Sequence, residues 1–198
     1  MKIRHLLLAG VAIVAVGSAN AATNVALGKA TSSSSIYDDR FVSGNVVDGN
    51  IIDSDSPFGY WLSGEGGVAG EWVQVDLGGQ FSIDSFSLFN THNRDWQDRG
   101  IQGFTLSVSA DGTAFTDVAS TSFTNAQWLD QTALSIDPAS TVLGRYVRVT
   151  ANSCFGCSGV GLAELQVYGV SAVPEPGTYA LMALGLAALG MVARRRQA

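Results

Sequence analysis

The sequence has few of the residues on which catalytic and zinc sites usually depend. Its 198 residues include only two histidines and two cysteines. It contains no G-x-S-x-G nucleophile elbow, no phosphate-binding loop and no set of soft zinc ligands. We therefore expect a protein that is not an enzyme. Glycoside hydrolysis by two carboxylates is the chemistry that the residues leave open, because it depends on spatial separation and not on a motif.

Basic residues are also scarce, and they are unevenly distributed. Five of the eleven lysines and arginines lie in the two ends of the chain, whereas all seventeen acidic residues lie between Asp38 and Glu175. Six basic residues remain to balance these seventeen, which gives the part between the ends a net charge of −11. Such a surface repels nucleic acid and anionic lipid and attracts cations. We therefore expect no nucleic-acid partner.

Residues 1–22 have the three parts of a secretory signal peptide. A positively charged start precedes an apolar run from Leu6 to Val16, and small residues follow. The apolar run has about ten residues, too few for a transmembrane helix, which needs roughly 20. We predict export through the inner membrane and cleavage after Ala21 or Ala22. A buried N-terminal helix is the alternative.

Three features follow one another in residues 171–198. A Pro174–Pro176 segment leads into an apolar stretch from Tyr179 to Ala193, and Arg194–Arg196 closes it. As a helix, the apolar stretch is about 22 Å long, short of the roughly 30 Å of a hydrocarbon core. The two prolines favour an extended linker before it.

This order resembles the PEP-CTERM sorting signal. The resemblance implies a transmembrane helix that holds the protein at the membrane until an exosortase processes it. The protein would then reach the cell surface or the extracellular matrix, where such proteins often accompany exopolysaccharide. A plain membrane anchor is the alternative.

Between the two ends, residues 23–170 alternate short β-rich runs with turn residues. The runs cover Glu71–Leu77, Ile83–Phe89, Phe104–Val108, Phe115–Phe123, Trp128–Ile136, Tyr146–Val149 and Leu162–Tyr168. We expect Gly78 and Gly79 to end the first run, and Asp111 and Gly112 to form a tight hairpin turn that needs a positive φ. Strands at intervals of roughly ten residues, without helical periodicity, indicate an antiparallel β-sandwich.

Five segments of this region, in order and with regular spacing, resemble the discoidin domain, also called the coagulation factor 5/8 type C domain. They are Asn24–Ser32, Asn45–Asn50, Glu71–Gly78, Gly103–Gly112 and Ala163–Gly169. The resemblance implies an all-β, eight-stranded antiparallel jelly roll of the galactose-binding-like superfamily, with its first and last segments side by side.

That superfamily includes fucose-binding lectins and family 32 carbohydrate-binding modules. The resemblance therefore implies a carbohydrate or exopolysaccharide as the partner. A structural or adhesive matrix protein that binds other proteins is the alternative.

An acidic loop follows the second of these segments. Carboxylate and amide side chains cluster between residues 48 and 55 around Gly49, and calcium prefers six to eight such hard oxygen ligands. The resemblance adds Glu164 from the last strand and the carbonyls of Asn45 and Asn50. The predicted ligands of a structural calcium ion are Asn45, Asp48, Asn50, Asp53 and Glu164. The alternative is a solvated acidic turn that caps its own backbone.

Residues 90–99 form the densest polar and aromatic stretch of the sequence, and they lie in a loop between two predicted strands. Guanidinium, imidazole and amide groups can bond to sugar hydroxyls, and an indole can cover the apolar face of a sugar ring. The predicted ligand contacts are His92, Asn93, Arg94, Trp96 and Arg99, with Phe155 as a second apolar wall. Arg94 and Arg99 resemble the two arginines of fucose-binding lectins, although they lie closer together here. A purely structural loop is the alternative.

Cys154 and Cys157 are the two cysteines. In an oxidising compartment we predict a local disulfide between them. A redox C-x-x-C motif would favour a helix N-terminus, and zinc would need two further soft ligands. The surrounding sequence supports neither.

Overall fold

The computed structural model describes residues 23–52, 58–156, 159–172 and 176–197. The predicted signal peptide, residues 1–22, lies outside them. The described residues form eleven strands and two α-helices. The strands are β1 Thr23–Asn24, β2 Ala30–Ser33, β3 Trp61–Leu62, β4 Trp72–Asn90, β5 Gly100–Ile101, β6 Gly103–Ser109, β7 Thr116–Ser122, β8 Leu134–Ile136, β9 Val142–Ala151, β10 Cys154–Phe155 and β11 Gly161–Ser171. The helices are α1 Asn125–Leu129 and α2 Pro176–Gln197.

The predicted all-β jelly roll is confirmed, but the number of strands is not eight. Strands β1, β3, β5 and β10 have two residues each. The first three pair near the ends of β11, and β10 pairs with β5. The principal order is β10-β5-β11-β4-β9-β6-β7, and β2 and β8 pair with β4. All pairs are antiparallel except β5 with β11. The extra strands are short edge pairings that carry too few residues for an alternating pattern in the sequence.

Strand β4 contradicts the prediction that Gly78 and Gly79 end a strand. The strand continues through both glycines because Gly78 adopts a φ of 81°, and its N–H donates to Asp76 Oδ1 at 2.9 Å. The register against β9 shifts between Asp76 and Phe81, as at a β-bulge. Before the bulge β4 pairs with β2 and β9, and after it mainly with β11 and β8. One bent strand therefore joins the two layers of the sandwich.

The core lies between these layers and follows the predicted alternation. In β4, Val73, Val75 and Leu77 are buried, while the residues between them are half-exposed. Burying each such side chain contributes about 1.5–3 kcal/mol to folding. The largest fully buried residues include Trp61 and Phe86, which lie on neighbouring parts of the sandwich. The period of two in the sequence therefore identifies the inward face correctly.

The predicted strand over Trp128–Ile136 is only partly correct. Its last residues form β8, but its beginning belongs to α1. Thr124 caps this helix, because its hydroxyl accepts from the Gln127 N–H while the Gln127 side chain accepts from the Thr124 N–H. This reciprocal capping box stabilises a helical turn that the apolar pattern does not reveal.

The connection between β6 and β7 has the predicted positive φ, but it runs over residues 110–115 and is longer than a tight hairpin turn. Gly112 has a φ of 79°, a conformation that glycine adopts without steric cost. The Asp111 carboxylate accepts from the N–H groups of Thr113 and Ala114 at 2.8 and 3.0 Å. These bonds hold the pKa of Asp111 well below its usual range.

The two ends of the domain lie side by side, as the resemblance implied. Thr23 pairs with Gly169 in β11, and Asn24 Oδ1 accepts from the N–H of Val167. Helix α2 begins at Pro176, which corrects the prediction that this residue belongs to an extended linker. Proline is tolerated in the first turn of a helix because that N–H has no intrahelical acceptor. No helix in the described part of the chain has both the length and the apolarity to cross a membrane.

Candidate functional site

A cavity of about 480 Å³ opens at one end of the sandwich. It lies where the segments 37–41, 58–60 and 93–99 meet. Its lining residues are Tyr37, Arg40, Phe41, Phe58, Asn93, Trp96, Asp98 and Arg99. Three of the predicted ligand contacts, Asn93, Trp96 and Arg99, therefore come together in one concave site.

Aromatic rings form one side of this cavity. Phe41 is buried, and its ring meets those of Tyr37 and Phe58 edge-on, with centroid separations of 5.9 and 5.4 Å. Tyr60 packs against Phe41 at 4.9 Å from below. Tyr37 and Phe58 are 44% and 40% exposed. The packing fixes these two rings while it leaves part of each accessible to a ligand.

Arg40 lies at the rim with its guanidinium held in place. Its Nη2 and Nε donate to the Asp38 carboxylate at 2.6 and 3.1 Å, and the guanidinium carbon lies 4.6 Å from the Phe58 ring centroid. The hydrogen bonds from Arg40 hold the pKa of Asp38 below its usual range. Because the pair is largely exposed, it contributes little to stability. Its effect is to orient the arginine.

Arg99 belongs to a chain of hydrogen bonds across the cavity floor. Its Nη1 donates to the Tyr60 hydroxyl at 3.2 Å, and Tyr60 donates to Asn93 Oδ1 at 2.9 Å. Asn93 Nδ2 then donates to Asp98 Oδ1 at 2.6 Å, and that oxygen lies 3.7 Å from Arg99 Nε. The guanidinium carbon is 5.6 Å from the Tyr37 ring centroid. This network fixes the polar groups before any ligand arrives, which lowers the entropic cost of binding.

The loop that carries this network has an unusual backbone. Asn93, Arg94, Gln97 and Arg99 have φ values of 53°, 57°, 48° and 68°. Non-glycine residues in this left-handed region cost of order 1 kcal/mol or more each. Gly156 packs against the loop so closely that a Cβ there would lie 3.0 Å from Asp98 Cα. The surrounding structure therefore holds a strained loop in one shape.

Trp96 is at the tip of this loop and is 80% exposed. Its ring therefore does not turn inward to close the end of the sandwich. A large indole normally stabilises the fold when it is buried. Trp96 is instead more exposed than Tyr37 or Phe58, so it is the most accessible apolar side chain at the cavity. Large apolar side chains that remain exposed beside a concave polar site are typical of binding surfaces.

Two predicted contacts in the same loop do not line the cavity. His92 Nδ1 lies 2.7 Å from the carbonyl oxygen of Arg94, so the imidazole is engaged with the loop backbone. The Arg94 side chain is exposed and is not among the residues that line the cavity. Of the two arginines that resemble those of fucose-binding lectins, the structure brings only Arg99 to the cavity.

Phe155 is also not part of the cavity lining. Its ring stacks on Trp128, with centroids 4.4 Å apart and an angle of 5° between the planes. The Trp128 indole N–H donates to the Thr91 carbonyl at 3.0 Å. Phe155 thus supports the loop from behind instead of forming a second wall. Cys154 beside it is disulfide-bonded, whereas Cys157 lies outside the described residues, so the pairing of the two stays a prediction.

Five of the eight lining residues were not predicted from the sequence, namely Tyr37, Arg40, Phe41, Phe58 and Asp98. Residues 36–41 mix aromatic and charged side chains much as residues 90–99 do. The same compositional criterion would have found this segment. It could not have shown that the fold brings the two segments together.

A buried carboxylate of strand β11 faces the predicted metal loop. Glu164 is fully buried, and its Oε2 accepts from the Gly49 N–H at 3.3 Å. Its Oε1 has no hydrogen-bond partner among the described residues. Burial, with a smaller contribution from the nearby charge of Asp48, raises the pKa of Glu164 to about 8, although the hydrogen bond from Gly49 lowers it. An unpartnered carboxylate oxygen beside a second carboxylate is an arrangement that a cation would stabilise.

The remaining predicted ligands have different surroundings. Asp48 accepts from the Asn50 N–H and from its Nδ2, both at 2.8 Å, as the alternative of a self-capping turn requires. The Asn45 side-chain Nδ2 donates to backbone carbonyls, and the predicted metal ligand of this residue is its main-chain carbonyl. Asp53 lies outside the described residues. No cluster of three acidic, histidine or cysteine side chains occurs in the described ranges, so within those ranges backbone carbonyls would have to add to Asp48 and Glu164 in a calcium site.

The fold and the cavity together define a class of protein: jelly-roll modules that present a concave ligand site in the loops at one end. Comparison with known families identifies the chain further. Residues 29–164 match the F5/8 type C domain, and the chain belongs to this family. Residues 172–197 match the PEP-CTERM protein-sorting motif, which implies export and sorting to the cell surface.

Solved structures with this fold include carbohydrate-binding modules. A chitosan-binding module 1 from a chitosanase/glucanase of Paenibacillus sp. IK-5 is 28% identical, with a TM-score of 0.58 over 74% of this chain and 99% of the module. Module 2 of that enzyme, in complex with chitotriose, is 27% identical, with a TM-score of 0.58 over 74% and 100%. A fucolectin from Morone saxatilis serum shares the fold at 23% identity, with a TM-score of 0.62 over 76% and 50%. A comparison with curated proteins gives no match.

Proposed function

We propose that this protein is an exported, non-catalytic carbohydrate-binding protein of the cell surface or extracellular matrix, sorted there by an exosortase. The observation that carries this proposal is the cavity in which aromatic rings and fixed polar groups lie side by side. A sugar presents hydroxyls on its edges and C–H groups on its faces. Such a ligand needs both kinds of surface at once.

The roles of the lining residues follow from their positions. The exposed indole of Trp96 and the accessible part of the Tyr37 ring can cover the apolar face of a sugar. Arg99 and Asn93, fixed by the network through Tyr60, can donate to sugar hydroxyls. We expect binding of individual residues in a glycan chain, because the cavity is small and open to solvent.

Amino-sugar polymers are the first ligand class to test. The solved structures that are 27–28% identical are chitosan-binding modules. The net charge of −11 between the two ends of the chain attracts a cationic polymer. Asp98 brings a carboxylate to the cavity itself. Arg40 and Arg99 each already face a carboxylate, so their charges are partly balanced.

We also propose a structural calcium ion at the metal loop. The carboxylates of Asp48 and Glu164 would hold it, with the carbonyls of Asn45 and Asn50. The ion would supply positive charge to a buried carboxylate that has one oxygen without a partner. The residues present fit this role, since they offer hard oxygen atoms only.

The proposal is tested by measuring the binding of chitotriose, galactose and fucose to the exported domain by calorimetry, with and without calcium. Replacing Trp96 by alanine should weaken binding of the preferred sugar about tenfold or more. Its exposure predicts that the melting temperature hardly changes. Leu143→Ala is a matched control, because Leu143 is 58% exposed and pairs near the other end of the sandwich.

Two results would count against this function. Equal sugar affinity in Trp96→Ala and the control would remove the cavity as the binding site. Capture of a protein partner with no signal for any glycan would favour the alternative of a structural or adhesive matrix protein.

A further inference from the structure

The side chain of Asn45 joins the two segments that carry the aromatic rings of the cavity, residues 37–41 and 58–60, which we call its two walls. Its Nδ2 donates to the carbonyl oxygens of Arg40, Phe58 and Tyr60 at 3.0, 2.9 and 3.0 Å. Arg40 and Phe58 line the cavity, and the Tyr60 hydroxyl bonds to Arg99 on its floor. Asn45 does not line the cavity, so it touches both walls from behind.

We propose that Asn45 is the positioning residue of the binding site: it sets the separation of the two aromatic walls and thereby the affinity for sugar. This inference rests on the proposed function, since it assigns a determinant of affinity to the same cavity. It concerns the side chain of Asn45, whereas the calcium proposal concerns its carbonyl.

The position of Asn45 is fixed by its neighbours. It lies in a 3-10 helix, Ser43–Val47, in which Val46 and Val47 are buried in the core. This short helix packs against β11, the strand beneath the cavity. Asn45 is therefore held by the core, and the two walls are held by Asn45.

The amide is the chemical group that this position requires. Three carbonyl oxygens surround one atom, so that atom has to be a donor, and the NH₂ group of asparagine supplies two hydrogens. A carboxylate of the same shape would place an oxygen against three other oxygens. Asn45→Asp therefore repels both walls, whereas Asn45→Ala only releases them.

Backbone bonds deeper in the fold also connect the walls. Tyr37 N–H donates to the Leu62 carbonyl at 2.9 Å, and Leu62 N–H donates to the Phe41 carbonyl at 3.3 Å. These two bonds lie at β3, next to the core. They still connect the two walls when the Asn45 bonds are lost. The parts of the walls that line the cavity can then separate without unfolding of the domain.

The test compares Asn45→Asp and Asn45→Ala with Val46→Ala, all measured in chelator so that metal makes no contribution. Val46 is the matched control because it lies next to Asn45 in the same helix but points into the core. Three quantities are measured: the affinity for chitotriose, the melting temperature, and hydrogen exchange in peptides covering residues 38–41 and 58–60.

We expect Asn45→Asp to weaken chitotriose binding about tenfold and Asn45→Ala by somewhat less, both with faster exchange in the two wall peptides. Val46→Ala should lower the melting temperature at least as much as the Asn45 variants do, because it leaves a cavity in the core. Its affinity for chitotriose should stay within about threefold of that of the unaltered protein. A loss of affinity that follows the melting temperature across all three variants would overturn the proposal, as would unchanged exchange in Asn45→Asp.

The two proposals fail in different ways. If the unaltered protein binds no sugar, the proposed function fails, but hydrogen exchange still decides whether Asn45 holds the walls. If the unaltered protein binds sugar and Asn45→Asp binds it equally well, the function stands and the role of Asn45 is refuted.

Discussion

The cavity and the metal loop are neighbours at one end of the sandwich, but they differ in how their carboxylates are paired. In the cavity, Arg40 lies 2.6 Å from Asp38 and Arg99 lies 3.7 Å from Asp98. Facing the loop from β11, Glu164 is fully buried with one oxygen that has no partner in the described part of the chain. The cavity is thus organised without a ligand, whereas the loop carries a cost that a cation would remove. We therefore expect sugar to bind to a preorganised site, and calcium to supply the missing partner of Glu164 at the metal loop.

The largest expected effect is that of calcium removal on the melting temperature. Removing calcium with a chelator should lower the melting temperature by about 5–10 °C, since an ion at 100 times its Kd stabilises by about 2.7 kcal/mol. Differential scanning calorimetry with and without chelator measures this. In Glu164→Gln the same chelator should have little effect. An identical melting temperature for the unaltered protein in both conditions would refute the calcium proposal.

The next effect is on the dependence of stability on pH. The pKa of Glu164 is raised from 4.5 to about 8 in the fold, so folding opposes its ionisation. Without calcium, the free energy of unfolding should be highest below pH 4.5 as far as this group is concerned, and should fall as the pH rises towards about 8. The slope is at most about 1.4 kcal/mol per pH unit.

Urea unfolding at several pH values measures this slope. Glu164→Gln should remove it in chelator, and calcium should remove it in the unaltered protein because a cation favours the ionised carboxylate. A slope that persists in Glu164→Gln would assign the effect to other groups.

The smallest effect concerns the back of the cavity loop. Phe155→Leu removes the stacking on Trp128 and should lower the free energy of unfolding by about 0.5–1.5 kcal/mol. Because Phe155 does not line the cavity, sugar affinity should stay within about twofold of the unaltered protein. A tenfold weaker affinity would instead mean that Phe155 acts as the second apolar wall that the sequence suggested.

The fold was largely predictable because alternation and turn residues report directly on a two-layer structure. The exceptions are local. Gly78 adopts a positive φ that lets β4 bend without ending, and the capping of Thr124 forms a helix where the apolar pattern indicated a strand. Both depend on hydrogen bonds between near neighbours, which a hydrophobic pattern does not record.

The site was predictable only where one segment supplied it. Asn93, Trp96 and Arg99 were found because they share a loop of distinctive composition. Tyr37 and Phe58 were missed because only the tertiary fold brings their segments to the same place. The burial of Glu164 could not be predicted either, since β11 is covered on both faces at this point and its residues there do not alternate.

Strand β11 has a consequence for how the protein meets its surroundings. Its first residue, Gly161, pairs with β3 and β5 beside the cavity, and its last residue, Ser171, leads towards the sorting motif. Eleven residues of extended chain measure about 35 Å. The cavity and Ser171, which leads to the sorting motif, are therefore at opposite ends of the domain. Processing at the sorting motif would therefore act at the end of the domain away from the cavity and leave the cavity surface unchanged.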